Sequence, residues 1–221
     1  YFIFEKEDEG ELDFTVEISH GGNTIFRIYY DIIKEEYING NKYIIKLPME
    51  LLIQDRYLEL GIRKYYDHNV IINTSNKLIN KELICRITRN INEYYPKYKL
   101  VVKQLIQCDT FLKWRGYGLF IKSNSKIQNI KIKMDGYHLF DFDEFYIDIH
   151  CKKINKKTIY VSLNDYDNMN IFDESNLINF SKWGNITINI TAENNDEVKA
   201  YMVVHNMLLA MDGEIILRYS S

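Results

Sequence analysis

Alternation of apolar and polar side chains is clearest near the carboxyl end of the chain. Between residues 185 and 191, Ile186, Ile188 and Ile190 alternate with Asn and Thr residues. Successive side chains of a β-strand point to opposite faces of the sheet, so this pattern predicts a strand with one buried and one solvated face. We expect the three isoleucines to lie in the core.

The segments after this strand predict further antiparallel strands. A polar turn at 193–197 precedes a mostly apolar run at 198–211. Asp212-Gly213 is a dipeptide that favours a tight hairpin, and it leads into a last strand at 214–219. The side chains that we expect to hold these sheets together are Ile186, Ile188, Ile190, Ile215 and Leu217.

The beginning of the chain shows the same alternation. Apolar residues at 1–4 are followed by a charged turn at 5–11 and by an alternating run at 12–19. This order predicts a hairpin with one solvated face. The segment 29–37 is expected to form one or two helical turns, and Asn39-Gly40 marks a tight turn.

Most of the remaining chain also has the pattern of short strands. The polar stretch 73–81 is the best candidate for a linker, while Asp135-Gly136 predicts a turn and Gly116-Tyr117-Gly118 a β-bulge. Long segments with helical periodicity are rare, so the chain is predicted to be all-β. Further strands are predicted at residues 24–28, 43–47, 58–62, 68–72, 82–88, 99–107, 127–134, 137–145 and 158–163.

Composition narrows the range of partners. The 221 residues suffice for one large β domain or two small ones, and 46% hydrophobic with 27% charged residues is ordinary for a globular protein. The net charge of −3 gives no basic excess of the kind that nucleic-acid binders show. No run of 18 apolar residues occurs. We therefore expect neither a nucleic-acid partner nor a membrane span.

The residues that commonly carry chemistry are scattered. Cys85, Cys108 and Cys151 are widely spaced, which favours neither a disulfide framework nor a zinc site. His150 and Cys151 are adjacent, but neighbours in a strand point to opposite faces and chelate poorly. Motifs for nucleophilic or nucleotide chemistry are absent from the sequence. The chain is predicted to have no catalytic residue, no metal and no cofactor.

Two charged clusters leave alternatives open. Asp141, Asp143, Glu144 and Asp148 could perform acid–base chemistry or hold a cation, but no EF-hand spacing surrounds them and a solvated loop is the simpler interpretation. Four lysines around Ile154-Asn155 either form a plain hairpin tip or contact an acidic neighbour or a membrane surface. These lysines are Lys152, Lys153, Lys156 and Lys157.

The carboxyl-terminal motifs occur together in one protein family. Asn179-Phe180-Ser181-Lys182 precedes Gly184-Asn185 and the alternating strand, and Leu208-Leu209 precedes a closing Leu217-Arg218-Tyr219-Ser220. This arrangement resembles the carboxyl end of the major capsid proteins of large eukaryotic DNA viruses, which are double jelly rolls. Weaker matches in family order lie earlier, at Ile18 to Gly22, Leu47-Pro48, Tyr65 to Val70, Leu100 to Gln104 and Tyr137 to Phe145.

The resemblance implies an antiparallel jelly-roll β-sandwich. About the first half of an ordinary first jelly roll has no counterpart, so we expect a double-jelly-roll-like fold whose first roll is incomplete. This predicts a shortened or truncated member of the family. The expected domains are a partial amino-terminal jelly roll at 1–76 and a carboxyl-terminal jelly roll at 77–221.

The function that the resemblance implies is structural. A capsid or capsid-like protein of this kind is not an enzyme, assembles with itself into the virion shell as a homotrimer, contacts other capsid proteins, and is assembled in the host cytoplasm. An assembly scaffold related to the capsid proteins fits the same motifs. The alternative from a different class is a glycan-binding β-sandwich module that stacks sugar rings on exposed aromatics such as Trp114, Tyr117 and Trp183.

Overall fold

The computed structural model describes most of the chain. The described residues are 1–20, 23–47, 68–84, 97–108, 114–163, 177–194, 196–211 and 214–217. The predicted strand at 58–62 and the predicted turn at Asp212-Gly213 lie outside them. Within the described part, the chain divides into two compact units, Tyr1–Lys103 with Asn206–Ser220, and Gln104–His205 with Ser221.

The first unit is built from two antiparallel sheets. One sheet has the strand order β4-β5-β1-β7 and the other β3-β2-β6. A 3₁₀ turn at Tyr30–Ile32 connects β3 to β4, so the helical turns predicted for 29–37 reduce to a single turn before a strand. The strands are β1 (Phe2–Lys6), β2 (Phe14–His20), β3 (Asn23–Tyr29), β4 (Glu35–Asn39), β5 (Lys42–Lys46), β6 (His68–Thr74) and β7 (Leu78–Leu83).

Aromatic side chains form the core between these two sheets. Phe2 and Phe4 on β1 are fully buried, and the Phe14 ring on β2 lies 5.6 Å from the ring of Phe2 and 6.0 Å from that of Phe4. Burying side chains of this size contributes about 2 kcal/mol each to the free energy of unfolding. The alternation along β1 and β2 therefore directs one face of each sheet inward.

The predicted hairpin between the first two strands is wrong. β1 pairs with β5 and β7, whereas β2 pairs with β3 and β6 in the other sheet. The alternating pattern gives the buried face of each strand correctly, but it carries no information about the hydrogen-bonding partner. Packing decides the partner here, because both strands must contribute aromatic rings to one core.

The polar stretch 73–81 connects β6 to β7, two strands that lie in different sheets of the first unit. It contains the end of β6, a turn at residues 75–77 and the beginning of β7, and β7 pairs with β1 in the first unit. The domain boundary after residue 76 remains a prediction about the organisation of the chain. β8 (Lys97–Gln107) continues from the first unit into the second.

The second unit contains a three-stranded sheet and most of a larger one. The three-stranded sheet has the order β11-β10-β15, and the larger has the order β12-β13-β9-β16 with β14 beside β9 and β8 beside β16. β16 continues into the first unit, where it pairs with β17. The elements are β9 (Arg115–Lys122), β10 (Ile127–Met134), β11 (Tyr137–Asp143), α1 (Glu144–His150), β12 (Lys152–Lys153), β13 (Thr158–Ser162), β14 (Ile178–Asn179), β15 (Ile186–Ala192), β16 (Lys199–Met211) and β17 (Glu214–Leu217).

The predicted register of the alternating strand is confirmed. Along β15 the isoleucines are half-buried and the intervening Thr and Asn residues are exposed. The isoleucines are less buried than expected, because β15 pairs with β10 alone among the described strands and lies at the edge of its sheet. Ile130 and Ile132, which face Ile190 and Ile188 from β10, are fully buried. The side chains of Ile215 and Leu217 lie outside the described part of the structure.

Two of the turns form as their residue types predict. Asp135 and Gly136 have φ angles of 48° and 85° and join β10 to β11, and Gly40 has a φ of 59° between β4 and β5. Positive φ costs little for Gly and is tolerated by Asp and Asn. Asp135-Gly136 is the two-residue loop that its sequence predicts, whereas the loop of the other hairpin is Gly40-Asn41, one residue beyond the predicted Asn39-Gly40, because Asn39 still pairs with Lys42.

The helix α1 replaces the end of a predicted strand. The strand expected at 137–145 ends at Asp143, whose carboxylate accepts a hydrogen bond of 2.8 Å from the backbone N–H of Tyr146. Asp in this position caps a helix. The rings of Phe142 and Tyr146 stack at 4.4 Å, four residues apart. The Asp cap and the four-residue spacing of the two rings are sequence signals for a helix. The strand-forming residue types of the segment obscured these signals.

Candidate assembly surfaces

The acidic cluster forms ion pairs on ordered elements. Asp141 on β11 lies 3.2 Å from Lys131, and Glu144 and Asp148 on α1 lie 2.6 and 2.8 Å from Lys126. Hydrogen bonding by Asn129 and then Lys131 lowers the pKa of Asp141, and Lys126 lowers that of Asp148. The four carboxylates are solvent-exposed as expected, but they lie on β11 and α1 and not on a loop. The lowered pKa values of Asp141 and Asp148 keep these two groups charged and do not suit the role of a general acid.

In the part of the chain that the structure covers, no three His, Cys, Asp or Glu residues are arranged so that they could hold a metal ion. Neither Cys108 nor Cys151 is in a disulfide. Burial raises the pKa of Cys151 to about 11, with a smaller effect from the Asp148 charge. A thiol with such a pKa is a poor nucleophile at neutral pH.

An apolar cleft opens in the first unit between β6 and β7. Its volume is about 360 Å³. The lining consists mainly of apolar side chains, with Lys81 and Glu82 as its charged members. Its polar members are Thr74, Lys81 and Glu82, and no His, Cys or Asp is among the lining residues. Its lining residues are Phe2, Ile72, Thr74, Leu78, Lys81, Glu82 and Leu83.

The aromatics proposed for sugar stacking do not form an exposed platform. Trp114 and Tyr117 are buried, and Trp183 is 37% exposed. The Tyr117 hydroxyl is hydrogen-bonded to Nδ1 of His205 at 2.9 Å, and both side chains are almost fully buried. The exposure expected for Trp114 and Tyr117 is therefore wrong, and Trp183 is the one of the three that a sugar ring could reach.

The predicted bulge in β9 is confirmed. Gly118 lies opposite Val203 and Gly116 opposite Val204, so Tyr117 is the extra residue. A Cβ atom on Gly118 would collide with the Tyr160 hydroxyl and lie 2.6 Å from the Val161 carbonyl oxygen. These glycines permit close packing inside the sheet, and they do not form an exposed cradle for phosphate.

A hairpin rich in lysine protrudes from the second unit. This lysine hairpin, residues 151–158, joins β12 to β13 and contains four exposed lysines and no acidic residue. Ile154 and Thr158 are buried and anchor it, and the Ile154 N–H donates to the Thr158 carbonyl at 2.9 Å. The Asn155 side chain accepts a bond of 2.9 Å from the Lys157 N–H. The tip is therefore held in one shape.

Further lysines lie beside this hairpin. Lys122 on β9 is opposite Thr158 on one side and Lys199 of β16 on the other. Like charges directly opposite in a sheet destabilise it. Asp148 lies 3.9 Å from Lys153, and Glu193, Asp196 and Glu197 precede β16 in the sequence.

A loop rich in carboxylates protrudes from the first unit. This acidic loop, residues 7–13, joins β1 to β2 and carries five carboxylates in seven residues. The Lys6 ammonium is buried beneath it, donates to the carbonyl oxygens of Asp8 and Gly10, and lies 3.0 Å from the Asp8 carboxylate. The loop therefore wraps around an internal cation.

Asn76 fastens the same loop to the turn between β6 and β7. Its side-chain amide donates to the Asp8 carboxylate at 3.0 Å and to the Glu11 carbonyl at 2.9 Å, and its side-chain oxygen accepts from the Asp13 N–H at 2.8 Å. The side chains of Glu9 and Glu11 take no part in these bonds and are exposed. Local sequence patterns give no signal for this arrangement, because the partners are more than 60 residues apart.

An apolar patch on α1 lies next to the lysine hairpin. Phe145 is 75% exposed and Ile149 57% exposed, one helical turn apart. Tyr137 at the beginning of β11 is 76% exposed. Exposed apolar groups of this size mark sites of macromolecular contact. The surface chemistry thus suits protein–protein association.

Comparisons with known proteins find the same fold in solved structures of viral capsid proteins. No family model and no curated protein sequence matches the chain. A chain of the PBCV-1 virus capsid superimposes with a TM-score of 0.57 and 12% identity. The match covers 100% of the present chain and 88% of the capsid chain. PBCV-1 VP54, fitted into a reconstruction of the virophage Sputnik, gives a TM-score of 0.60 with the same identity and coverage.

These similarities establish the fold class as an antiparallel jelly-roll β-sandwich. The coverage contradicts the prediction of a truncated member with an incomplete first roll, since such a chain would leave a larger share of the capsid chain unmatched. The missing motifs reflect sequence divergence at 12% identity. In the described part of the chain, no helix has the length and apolar character to cross a membrane.

Proposed function

We propose that this protein is a structural component of a viral capsid and acts by assembling with copies of itself into the virion shell. The observation that carries this proposal is the fold similarity to capsid proteins over the whole chain. The exposed apolar patch on α1 and the two oppositely charged surface elements support it, because they suit association rather than catalysis. The protein has no catalytic role in this proposal.

The proposed assembly unit is a homotrimer that packs beside other capsid proteins. A closed three-fold ring limits growth to a defined unit, which then forms the shell. Its location is the virion, after assembly in the host cytoplasm. An obligate interface of this type should bury on the order of 2,000 Å² or more.

Light scattering on a size-exclusion column tests self-association. At tens of micromolar protein and about 0.15 M salt, we expect a species of about 80 kDa, three times the chain mass of 26.5 kDa. A species that stays at the monomer mass under these conditions would refute the trimer.

Mass spectrometry of purified virions separates a shell protein from an assembly scaffold. A shell protein is present in mature particles in many copies. A protein found in assembling particles and absent from mature ones would be a scaffold instead.

A further inference from the structure

We propose that the apolar cleft of the first unit binds a single aliphatic chain that ends in a carboxylate, such as a fatty acid of about twelve carbons. The cleft lies between β6 and β7 and has a volume of about 360 Å³. Such a ligand site is a property of the chain in addition to assembly, and it does not depend on the proposed capsid role.

The cleft exists because both sheets of the first unit end beside it. Among the described strands, β6 is the last of the order β3-β2-β6 and β7 the last of the order β4-β5-β1-β7. Ile72 lies opposite Val16 and Leu83 opposite Phe2, and both of these partners are fully buried. Residues opposite each other in a ladder point to the same face. Ile72 and Leu83 therefore point into the space between the sheets.

The inward-facing side chains of these end strands are only partly covered. Leu83 is 38% exposed, and Ile72 is half-buried. Phe2 and Leu78 line the same cleft and are buried. The cleft is thus a part of the apolar core that solvent reaches, and an apolar ligand that filled it would remove this surface from water.

The dimensions of the cleft fit one extended hydrocarbon chain. Its lining runs along β7 from Leu78 to Leu83, which is about 16 Å at the rise of a strand. Over this length the volume gives a cross-section of about 22 Å², enough for one chain. A water molecule takes up about 30 Å³ and a methylene group is of similar size, so the cleft holds about twelve such groups.

Lys81 supplies the charge that a carboxylate head group needs. Alternation along β7 places Lys81 on the same side as Leu83, and it places Glu82 on the opposite side, where Glu82 faces Ile3 across the ladder. Lys81 is exposed, and no ion pair among the described residues involves it. Ligand sites are mainly apolar and use a few polar groups to orient the ligand. A lone cation beside an apolar wall selects an anionic head group.

The described lining offers no second polar anchor. The Thr74 hydroxyl already donates to the Asp13 carbonyl oxygen at 2.6 Å. A sugar or a nucleotide needs several hydrogen-bond partners, and burying its polar groups without them is costly. A ligand with one charged end and an apolar body therefore matches this cleft best.

Titration calorimetry with sodium dodecanoate below its micellar concentration tests the site. We expect one ligand per chain. The affinity should rise by up to about fourfold for each added methylene group from hexanoate upward, and it should stop rising beyond about twelve carbons, when the cleft is full. A wild type that binds none of these acids would overturn the inference and leave the capsid function standing.

Filling the cleft should block the ligand. In Leu83→Trp the larger ring occupies the position of the chain, and we expect dodecanoate to bind about tenfold more weakly or worse. Leu139→Trp is the matched control, because Leu139 is 42% exposed and lies on β11, outside the cleft. Thermal unfolding should confirm that both variants are folded. Equal losses of binding in the two variants would show that the chain binds elsewhere.

Removing the charge of Lys81 should affect the head group alone. We expect Lys81→Gln to weaken dodecanoate binding about fivefold and to leave the binding of uncharged 1-decanol unchanged. Lys34→Gln, at an exposed lysine outside the cleft, should bind both ligands like the wild type. A Lys81→Gln variant with undiminished affinity for dodecanoate would contradict the contact with the carboxylate.

Two other occupants of the cleft would give different results. If dodecanoate does not bind and Leu83→Trp changes the oligomeric mass in light scattering, the cleft is a contact between copies and the inference is wrong. If the protein binds phosphatidylcholine vesicles, loses them in Leu83→Trp and ignores free dodecanoate, the cleft contacts a membrane and the inference is equally wrong.

Discussion

At the scale of single residues, contacts that are distant in sequence decide which side chains matter. Gly118 and Asn76 have their decisive neighbours more than 40 residues away in the sequence, whereas Lys6 binds the loop that directly follows it. Gly118 lies against Tyr160 and Val161, Asn76 satisfies three partners at once, and Lys6 supplies a charge beneath a loop of carboxylates.

Replacing Gly118 with Ala should destabilise the second unit. The added Cβ would meet the Tyr160 hydroxyl and the Val161 carbonyl oxygen, and overpacking of this kind costs about 1–3 kcal/mol. Denaturant unfolding measures the change. Gly10→Ala is the matched control, since its Cβ would have ordinary contacts at 3.5 Å or more. Equal losses in the two variants would contradict the close packing at the bulge.

The acid stability of the protein should depend on Asp8. The hydrogen bond from Lys6, and next that from the Lys77 backbone, lower the pKa of Asp8 from 3.8 to about 2. A carboxylate with a lowered pKa in the folded state stabilises the fold above its unfolded pKa, and this contribution is lost as the pH falls from about 4 to about 2.

Melting temperatures between about pH 5 and pH 2 test this dependence. We expect Asp8→Asn to lose less stability over this range than the wild type. Glu9→Gln is the control, because its side chain takes no part in holding the loop. A wild-type slope in Asp8→Asn would show that Asp8 does not contribute.

At the scale of elements, the alternation along a strand determines which side chains face inward. The position of the strand in its sheet determines how deeply those side chains are buried. β10 and β15 show the same alternation, but the inward residues of β10 are fully buried and those of β15 half-buried. The difference arises because β10 has a partner on each side, whereas β15 pairs with β10 alone among the described strands.

Ile188→Asp should cost more stability than Thr187→Asp. The first places a charge on the half-buried face of β15, and we expect a loss of about 1–3 kcal/mol. The second places the same charge on the exposed face and should change the free energy of unfolding by less than about 0.5 kcal/mol. Chemical denaturation of both variants measures the difference, and a reversed order would contradict the register.

At the scale of the whole molecule, fold and function are separate conclusions. A jelly roll supports unrelated functions, so similarity to capsid proteins at 12% identity supports the fold and leaves assembly to be tested. The distribution of charge supports association independently of the fold. The net charge is only −3, yet carboxylates and lysines are concentrated on two separate surface elements.

The sequence by itself determined many of the strands, their inward faces and the hairpin turn at Asp135-Gly136, and it located the turn at Gly40 to within one residue, because side-chain alternation and positive φ angles are local properties. The family motifs in order also indicated the jelly roll. Tertiary structure alone decided that β1 and β2 belong to different sheets and that Asn76 fastens the acidic loop. Those features depend on partners such as Asp13 and Asn76, 63 residues apart, and the pattern around either residue does not specify the other.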